Sequence, residues 1–218
     1  MRLLLTSSGI TNKTIENALQ QVVEKPFKAS RIVFIPTAAN VEEDISGWLE
    51  NDINNFRKLQ FSSFDVIDIA NEKSDIFMPI LSRTDILVFG GGNEVYLLDQ
   101  IRRVGLDTFL QGFVQKNVYV GISAGSMIAA KTLSLNDSGK LYYENFKRTG
   151  QISGLGFVNF EIRPHLNSTF FEQVRIPVLQ KIAPEIDHEV YAIDDDTAIK
   201  VIGNNVFVVS EGEWKKFN

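Results

Sequence analysis

The chain has 218 residues, of which 44% are hydrophobic and 22% are charged, a balance typical of globular proteins that can bury one core. Its formal net charge is −5 and its basic residues are scattered, which argues against nucleic acid as a partner. It contains no cysteine, so disulfides, thiolate metal sites and a cysteine nucleophile are excluded.

Short apolar runs alternate with amphipathic stretches over the first 131 residues. Strands are predicted at residues 2–6, 31–36, 64–69, 85–89 and 118–122. Helices are predicted at residues 14–23, 42–59, 75–81, 94–103, 106–115 and 124–131. The strands are apolar throughout and are separated by stretches of helix length. This pattern predicts an α/β fold with a doubly wound, mainly parallel sheet and helices on both faces.

The C-terminal third has a different pattern, with strands predicted at residues 157–162, 189–193, 198–202 and 205–209. The turn at residues 203–205 predicts an antiparallel hairpin at one end of the sheet. We find no linker or repeat, so residues 1–218 are expected to form a single domain. The apolar run in MRLLLTSSG is too short for a secretory signal, and no run has the roughly 20 apolar residues that span a bilayer. We therefore expect a cytoplasmic protein without a membrane partner.

A serine lies between two glycines where a predicted strand passes into a predicted helix. Residues 121–125, GISAG, fit the G-x-S-x-G pattern of a nucleophile elbow, in which small neighbours allow a tight turn that exposes the serine hydroxyl. The turn also places the N–H of Ala124 at a helix N-terminus, where negative charge is favoured. The alternative is a serine that caps the helix between two packing glycines.

A second strand-to-helix loop, GGGN at residues 90–93, precedes the serine by about thirty residues. If the two preceding strands are neighbours, both loops lie at the same edge of the sheet. One N–H of this loop and that of Ala124 can then form an oxyanion hole. The alternatives are a phosphate-binding loop or a plain tight turn. No Lys-Ser or Lys-Thr pair follows, so the loop is not a P-loop.

A Ser–His mechanism has only two histidines to use. His165 follows a predicted strand and a proline, whereas His188 lies in a polar turn, so we predict His165 as the base and His188 as a surface residue. An imidazole base needs an acceptor on its other nitrogen. Asp195 and Asp137 are both candidates, with Asp195 favoured; residues 136–139 around Asp137 otherwise predict a turn. Two histidines without cysteine argue against a metal site, and we expect no cofactor.

The chain resembles peptidase family S51, the group of aspartyl dipeptidase (peptidase E) and cyanophycinase. The resemblance covers nearly the whole chain and rests on GGGN at 90–93, GISAG at 121–125, Asn-Asp at 136–137 and Pro-His at 164–165. It implies a fold like that of class I glutamine amidotransferases, with the nucleophile on an elbow.

The resemblance also implies roles for particular residues. Ser123 would be the nucleophile and His165 the base, with the acid at the position of Asp195 or that of Asp137. Gly92 and Ala124 would be the oxyanion donors, and Gly91 and Asn93 complete the predicted substrate-binding loop.

One departure concerns specificity. The arginine with which aspartyl dipeptidase holds an N-terminal aspartate aligns with Glu172, and Arg175 is offset. We expect a monomeric or homodimeric serine peptidase for short peptides, whose preference for Asp-X is doubtful; a neutral or basic residue is the alternative. The competing functions are another serine hydrolase, such as an esterase or a cyanophycinase-like enzyme, and a non-enzymatic module that binds a small anion.

Overall fold

The structure is a computed structural model that describes residues 1–45, 47–143 and 150–218. The described strands are β1 (Arg2–Thr6), β2 (Arg31–Ile35), β3 (Ser63–Val66), β4 (Ile86–Phe89), β5 (Val118–Ile122), β6 (Thr132–Ser134), β7 (Gln151–Ser153), β8 (Phe160–Arg163), β9 (Glu189–Ile193), β10 (Thr197–Ile202), β11 (Asn205–Ser210) and β12 (Trp214–Phe217). The described α-helices are α1 (Lys13–Val23), α2 (Trp48–Arg57), α3 (Ser74–Leu81), α4 (Glu94–Arg103), α5 (Leu106–Phe113), α6 (Ala124–Met127), α7 (Leu135–Tyr142) and α8 (Ile176–Ile182).

The described residues form a central seven-stranded sheet in the order β11-β10-β1-β5-β4-β2-β3. The five neighbouring strands β1, β5, β4, β2 and β3 are parallel, while β10 and β11 form an antiparallel hairpin at one end. The predicted mainly parallel sheet with a C-terminal hairpin is therefore confirmed.

Helices cover both faces of the central sheet. One face packs against α1 and α2, which bury Ile15, Leu19 and Phe56 against the sheet. The other face packs against α3, α4, α5 and α6, with Leu98 and Leu110 among the buried side chains. Because the parallel strands are apolar on both sides, each face needs such a cover, and the doubly wound arrangement follows.

A smaller sheet lies beside the central one and has the order β12-β9-β8. β8 and β9 are parallel, whereas β12 pairs with β9 in antiparallel fashion. Strands had been predicted at residues 157–162 and 189–193 without this second sheet. Within the described residues, no helix is long and apolar enough to cross a membrane.

Three predicted elements differ in extent. The helix predicted from residue 42 begins at Trp48 and follows a short 3-10 helix at Thr37–Val41. The helix predicted over 124–131 ends at Met127, since the N–H of Lys131 pairs with the carbonyl of Val158. Residues 136–139, predicted as a turn, belong to α7 because the buried residues Ser138 and Leu141 lie on its inward side, and packing overrides the local turn propensity.

Candidate active site

The candidate site lies where two pairs of parallel strands end. In the central sheet, β1 and β5 are neighbours, and Ser7 and Ser123 directly follow them. In the smaller sheet, β8 and β9 are neighbours, and His165 and Asp195 lie just beyond their ends. Neighbouring parallel strands end at the same edge of a sheet, so the topology brings the members of each pair together.

Ser123 occupies a sharp turn between β5 and α6, with φ of 47° and ψ of −108°. This region of backbone space is strained for serine and is typical of residues held in place for function. The turn is fixed because the Ser123 N–H donates to the carbonyl of Thr6 at 3.0 Å, while the Ser123 carbonyl accepts from the N–H groups of Ser126 and Met127.

The two glycines of GISAG are required by this turn. A Cβ at Gly125 would lie 2.1 Å from the carbonyl oxygen of Phe89, and one at Gly121 would lie 2.6 Å from the Gly125 backbone. Neither clash can be relieved by moving a flexible side chain. The sequence pattern therefore reports a real steric demand of the strand-to-helix turn.

Ser123, His165 and Asp195 form a continuous series of hydrogen bonds. Ser123 Oγ lies 2.9 Å from His165 Nε2, and His165 Nδ1 lies 2.8 Å from Asp195 Oδ1. The carboxylate favours the tautomer that carries its proton on Nδ1, which leaves Nε2 to accept the proton of the serine hydroxyl. The ring of Phe171 packs along the imidazole, with centroids 4.9 Å apart, and limits its rotation.

Ser7 joins this series and was missed by the sequence analysis. Its hydroxyl donates to Asp195 Oδ1 at 2.6 Å and accepts the backbone N–H of His165 at 2.8 Å. Burial raises the pKa of Asp195, but the hydrogen bonds from His165 and Ser7 outweigh it and hold that pKa below its ordinary value. The signal that was available is a serine directly after β1, the strand beside β5.

The predicted oxyanion loop lies next to the serine. A Cβ on Gly91 would be 3.4 Å from Ser123 Cβ, so this glycine lets the loop approach closely. Gly92 has φ of 119°, and a Cβ there would lie 2.3 Å from the carbonyl oxygen of Ala38. Ala124 is the first residue of α6, and its N–H is one of those that a helix leaves without an internal partner.

Two predicted site residues have other partners. Asn93 caps α4 through Oδ1, and its N–H donates to the carbonyl of Ala38 at 2.9 Å. Asp137 is buried in α7. Burial lowers the pKa of Arg163, but neighbouring acids that include Asp137 raise it above its ordinary value. Both ring nitrogens of His165 are already bonded elsewhere, so the structure brings Asp195 rather than Asp137 to the imidazole.

Three residues that the sequence analysis placed outside the catalytic set also lie outside it in the structure. His188, predicted as a surface residue, is instead partly buried, because it contacts Asp187 Oδ1 at 2.7 Å and the buried Glu161 Oε1 at 3.0 Å. Arg175 donates to three backbone carbonyls of the loop at 168–174, at distances between 2.9 and 3.1 Å. Glu172 is exposed. The Arg175 guanidinium therefore organises the loop that follows His165.

Such a hydroxyl–imidazole–carboxylate series beside the amide N–H that begins α6 is suited to acyl transfer. The description of a known family agrees with it: peptidase family S51 matches residues 3–209. The match covers nearly the whole chain, and the chain belongs to this family of peptidases.

Individual relatives are similarly distant but cover most of the chain. An uncharacterized peptidase of Listeria innocua is 26% identical over 83% of this chain and 88% of its own length. Peptidase E of Streptomyces coelicolor is 26% identical over 100% of this chain and 87% of its own length. A Listeria monocytogenes protein, described as a candidate peptidase E, has a crystal structure that superposes with a TM-score of 0.78. It is 26% identical and covers 97% of this chain and 98% of that one.

Proposed function

We propose that this chain is a serine peptidase that hydrolyses short peptides through an acyl-enzyme on Ser123. The observation that carries the proposal is the unbroken series from Ser123 Oγ through His165 to Asp195, with links of 2.9 and 2.8 Å. These distances allow proton transfer without rearrangement. Membership of a peptidase family supports peptides as the substrates.

In the proposed mechanism, Ser123 attacks the scissile carbonyl carbon while His165 Nε2 takes the hydroxyl proton. Asp195 remains ionised and stabilises the imidazolium through Nδ1–H. The N–H groups of Ala124 and Gly92 hold the oxyanion of the tetrahedral intermediate. His165 then donates its proton to the leaving amine, and a water activated by the same imidazole hydrolyses the ester on Ser123.

We propose further that an N-terminal aspartate is not the preferred first residue. The position that the resemblance assigns to an aspartate-binding arginine holds Glu172, and the nearby Arg175 already donates to three carbonyls. A carboxylate in the substrate would therefore meet an acid where a cation is needed. A dipeptide panel in which Asp-X peptides are cleaved fastest would contradict this specificity.

The proposal is tested with a fluorophosphonate probe, which labels activated serines. The chain should be labelled at Ser123, and labelling should vanish in Ser123→Ala and fall strongly in His165→Ala. The matched control is Ser82→Ala, an exposed serine in another part of the chain, which should be labelled normally. No labelling of the unmodified chain would favour a binding module, and hydrolysis of esters without hydrolysis of peptides would favour an esterase.

A further inference from the structure

Asp52 is a buried acid that the proposed mechanism does not use. It lies in α2, one helical turn after Trp48 and one turn before Phe56, on the face of the helix that packs toward the sheet. Asp52 is 6% exposed, and among the described residues none donates a hydrogen bond to its carboxyl group. A mostly buried carboxyl group without a donor among the described residues can accept a hydrogen bond from a ligand.

The Asp52 carboxyl group borders the turn that carries the nucleophile. A Cβ on Gly9 would lie 3.3 Å from Asp52 Oδ1 and 3.3 Å from Ile122 Cδ1. Ile122 is the residue immediately before Ser123. Because Gly9 has no side chain, the Asp52 carboxyl group and the Ile122 side chain at the end of β5 both pack closely against this glycine.

A second glycine lets the side chain of Trp48 lie close to the nucleophile. A Cβ on Gly91 would lie 3.4 Å from Ser123 Cβ and 3.6 Å from Trp48 Cζ3. The indole ring therefore stands next to the nucleophile, on the same helix face as Asp52. An aromatic ring beside a carboxylate is a favourable surrounding for a small cation.

The charges around Asp52 also favour a cation. The charged group that faces it is another acid, Asp195, on the loop after β9. In the part of the chain that the structure describes, no lysine or arginine forms an ion pair with Asp52. Burial, together with the charge of Asp195, raises the pKa of Asp52 to about 7. A positive group in the substrate would supply the charge that the described residues do not provide.

We propose that Asp52 binds the ammonium group of the substrate, beside Trp48. The inference rests on the proposed function. The first residue of a peptide carries its ammonium on the carbon next to the carbonyl that Ser123 attacks, so its counterion must lie near the nucleophile. Asp52 packs against Gly9, as does Ile122, the residue before Ser123. A lysine side chain would present the same chemical group from a different atom of the substrate.

The test compares four dipeptides that differ only in their ammonium groups: Lys-Ala, N-acetyl-Lys-Ala, norleucyl-Ala and N-acetyl-norleucyl-Ala. Released alanine is measured by chromatography for the unmodified chain, for Asp52→Asn and for Glu50→Gln. Glu50 is an exposed acid on the same helix, so its variant removes the same charge without touching the site. Thermal unfolding of each variant checks that it is folded.

If Asp52 binds the N-terminal ammonium, Asp52→Asn lowers kcat/KM about 10- to 100-fold for the two free-amine peptides, mainly through KM, and leaves the acetylated peptides unchanged. If Asp52 binds the lysine side chain instead, kcat/KM falls for Lys-Ala and N-acetyl-Lys-Ala and is unchanged for the two norleucyl peptides. Glu50→Gln changes neither pattern. An equal loss for all four peptides, no loss for any, or no cleavage of any peptide with an ammonium group overturns the inference.

Fluorophosphonate labelling separates this result from the proposed function. Asp52→Asn should be labelled at Ser123 as fast as the unmodified chain, because the probe carries no ammonium. Normal labelling with an unchanged peptide pattern defeats only the role of Asp52. Absence of labelling in the unmodified chain defeats the serine mechanism itself.

Discussion

Replacing Asp52 with asparagine should make the protein more stable at alkaline pH. The pKa of Asp52 is raised from 3.8 to about 7 in the folded chain, first by burial and then by the charge of Asp195. The folded chain holds this proton more tightly than the unfolded chain does. Protonation of Asp52 therefore stabilises the fold fully below about pH 4, and this stabilisation is lost as the pH rises through about 7. The difference between the folded and unfolded pKa values corresponds to about 4 kcal/mol.

The assay is urea unfolding of the unmodified chain and of Asp52→Asn at pH 5 and pH 8.5, followed by tryptophan fluorescence. The free energy of unfolding of the variant minus that of the unmodified chain should be more positive at pH 8.5 than at pH 5 by about 3 kcal/mol. Because the comparison is made at each pH, contributions from other titrating groups cancel. A difference that does not change with pH would refute the reasoning that Asp52 is a buried acid whose charge is not neutralised by any described residue.

Three further predictions concern residues around Ser123. Ser7→Ala should lower kcat about 10- to 100-fold, because Asp195 and the backbone N–H of His165 both lose their hydrogen bond to the Ser7 hydroxyl. Steady-state kinetics would check this, with thermal unfolding to show that the variant is as stable as the unmodified chain. Asp195→Asn should lower kcat about 10⁴-fold, because an amide no longer fixes the Nδ1–H tautomer, and a loss below tenfold would contradict it. Gly125→Ala should fail to fold or lose several kcal/mol, because its Cβ would meet the carbonyl of Phe89, whereas Gly112→Ala, in open space within α5, should be neutral or stabilising in thermal unfolding.

Much of the fold was predictable because its strands are continuous apolar runs. The stretches RIVFI and VYVGI form β2 and β5, and both are buried on two sides in the central sheet. The hairpin turn near residue 203 was predictable because Gly203 has φ of 60°, which glycine adopts without strain. In these elements, local pattern and tertiary environment agree.

The smaller sheet was not predictable from local pattern. The four residues of β8, FEIR, include a buried Glu161–Arg163 ion pair. The pattern used to predict buried strands looks for apolar residues and does not predict such a pair. The local sequence also does not determine that β8 pairs with β9 and does not join the central sheet. The turn-like composition of residues 136–139 likewise concealed a helix that exists because its inward side is buried.

The candidate site was predictable in part for the same reason. Ser123 and His165 stand in motifs whose backbone demands small or rigid neighbours, so their types and spacing carry information. Ser7 and Asp52 carry no such motif. Ser7 matters because β1 lies beside β5, and Asp52 because α2 turns that position inward, and both facts depend on contacts between distant parts of the chain.

The most direct test of the account is to trap the acyl-enzyme. The chain is mixed with an aminoacyl p-nitrophenyl ester, quenched in acid within the first turnover, digested and analysed by mass spectrometry. The account predicts the added acyl mass on the peptide that contains Ser123, and its absence when His165 is replaced by alanine. Turnover without acyl mass on Ser123, or with that mass on another residue, would contradict it.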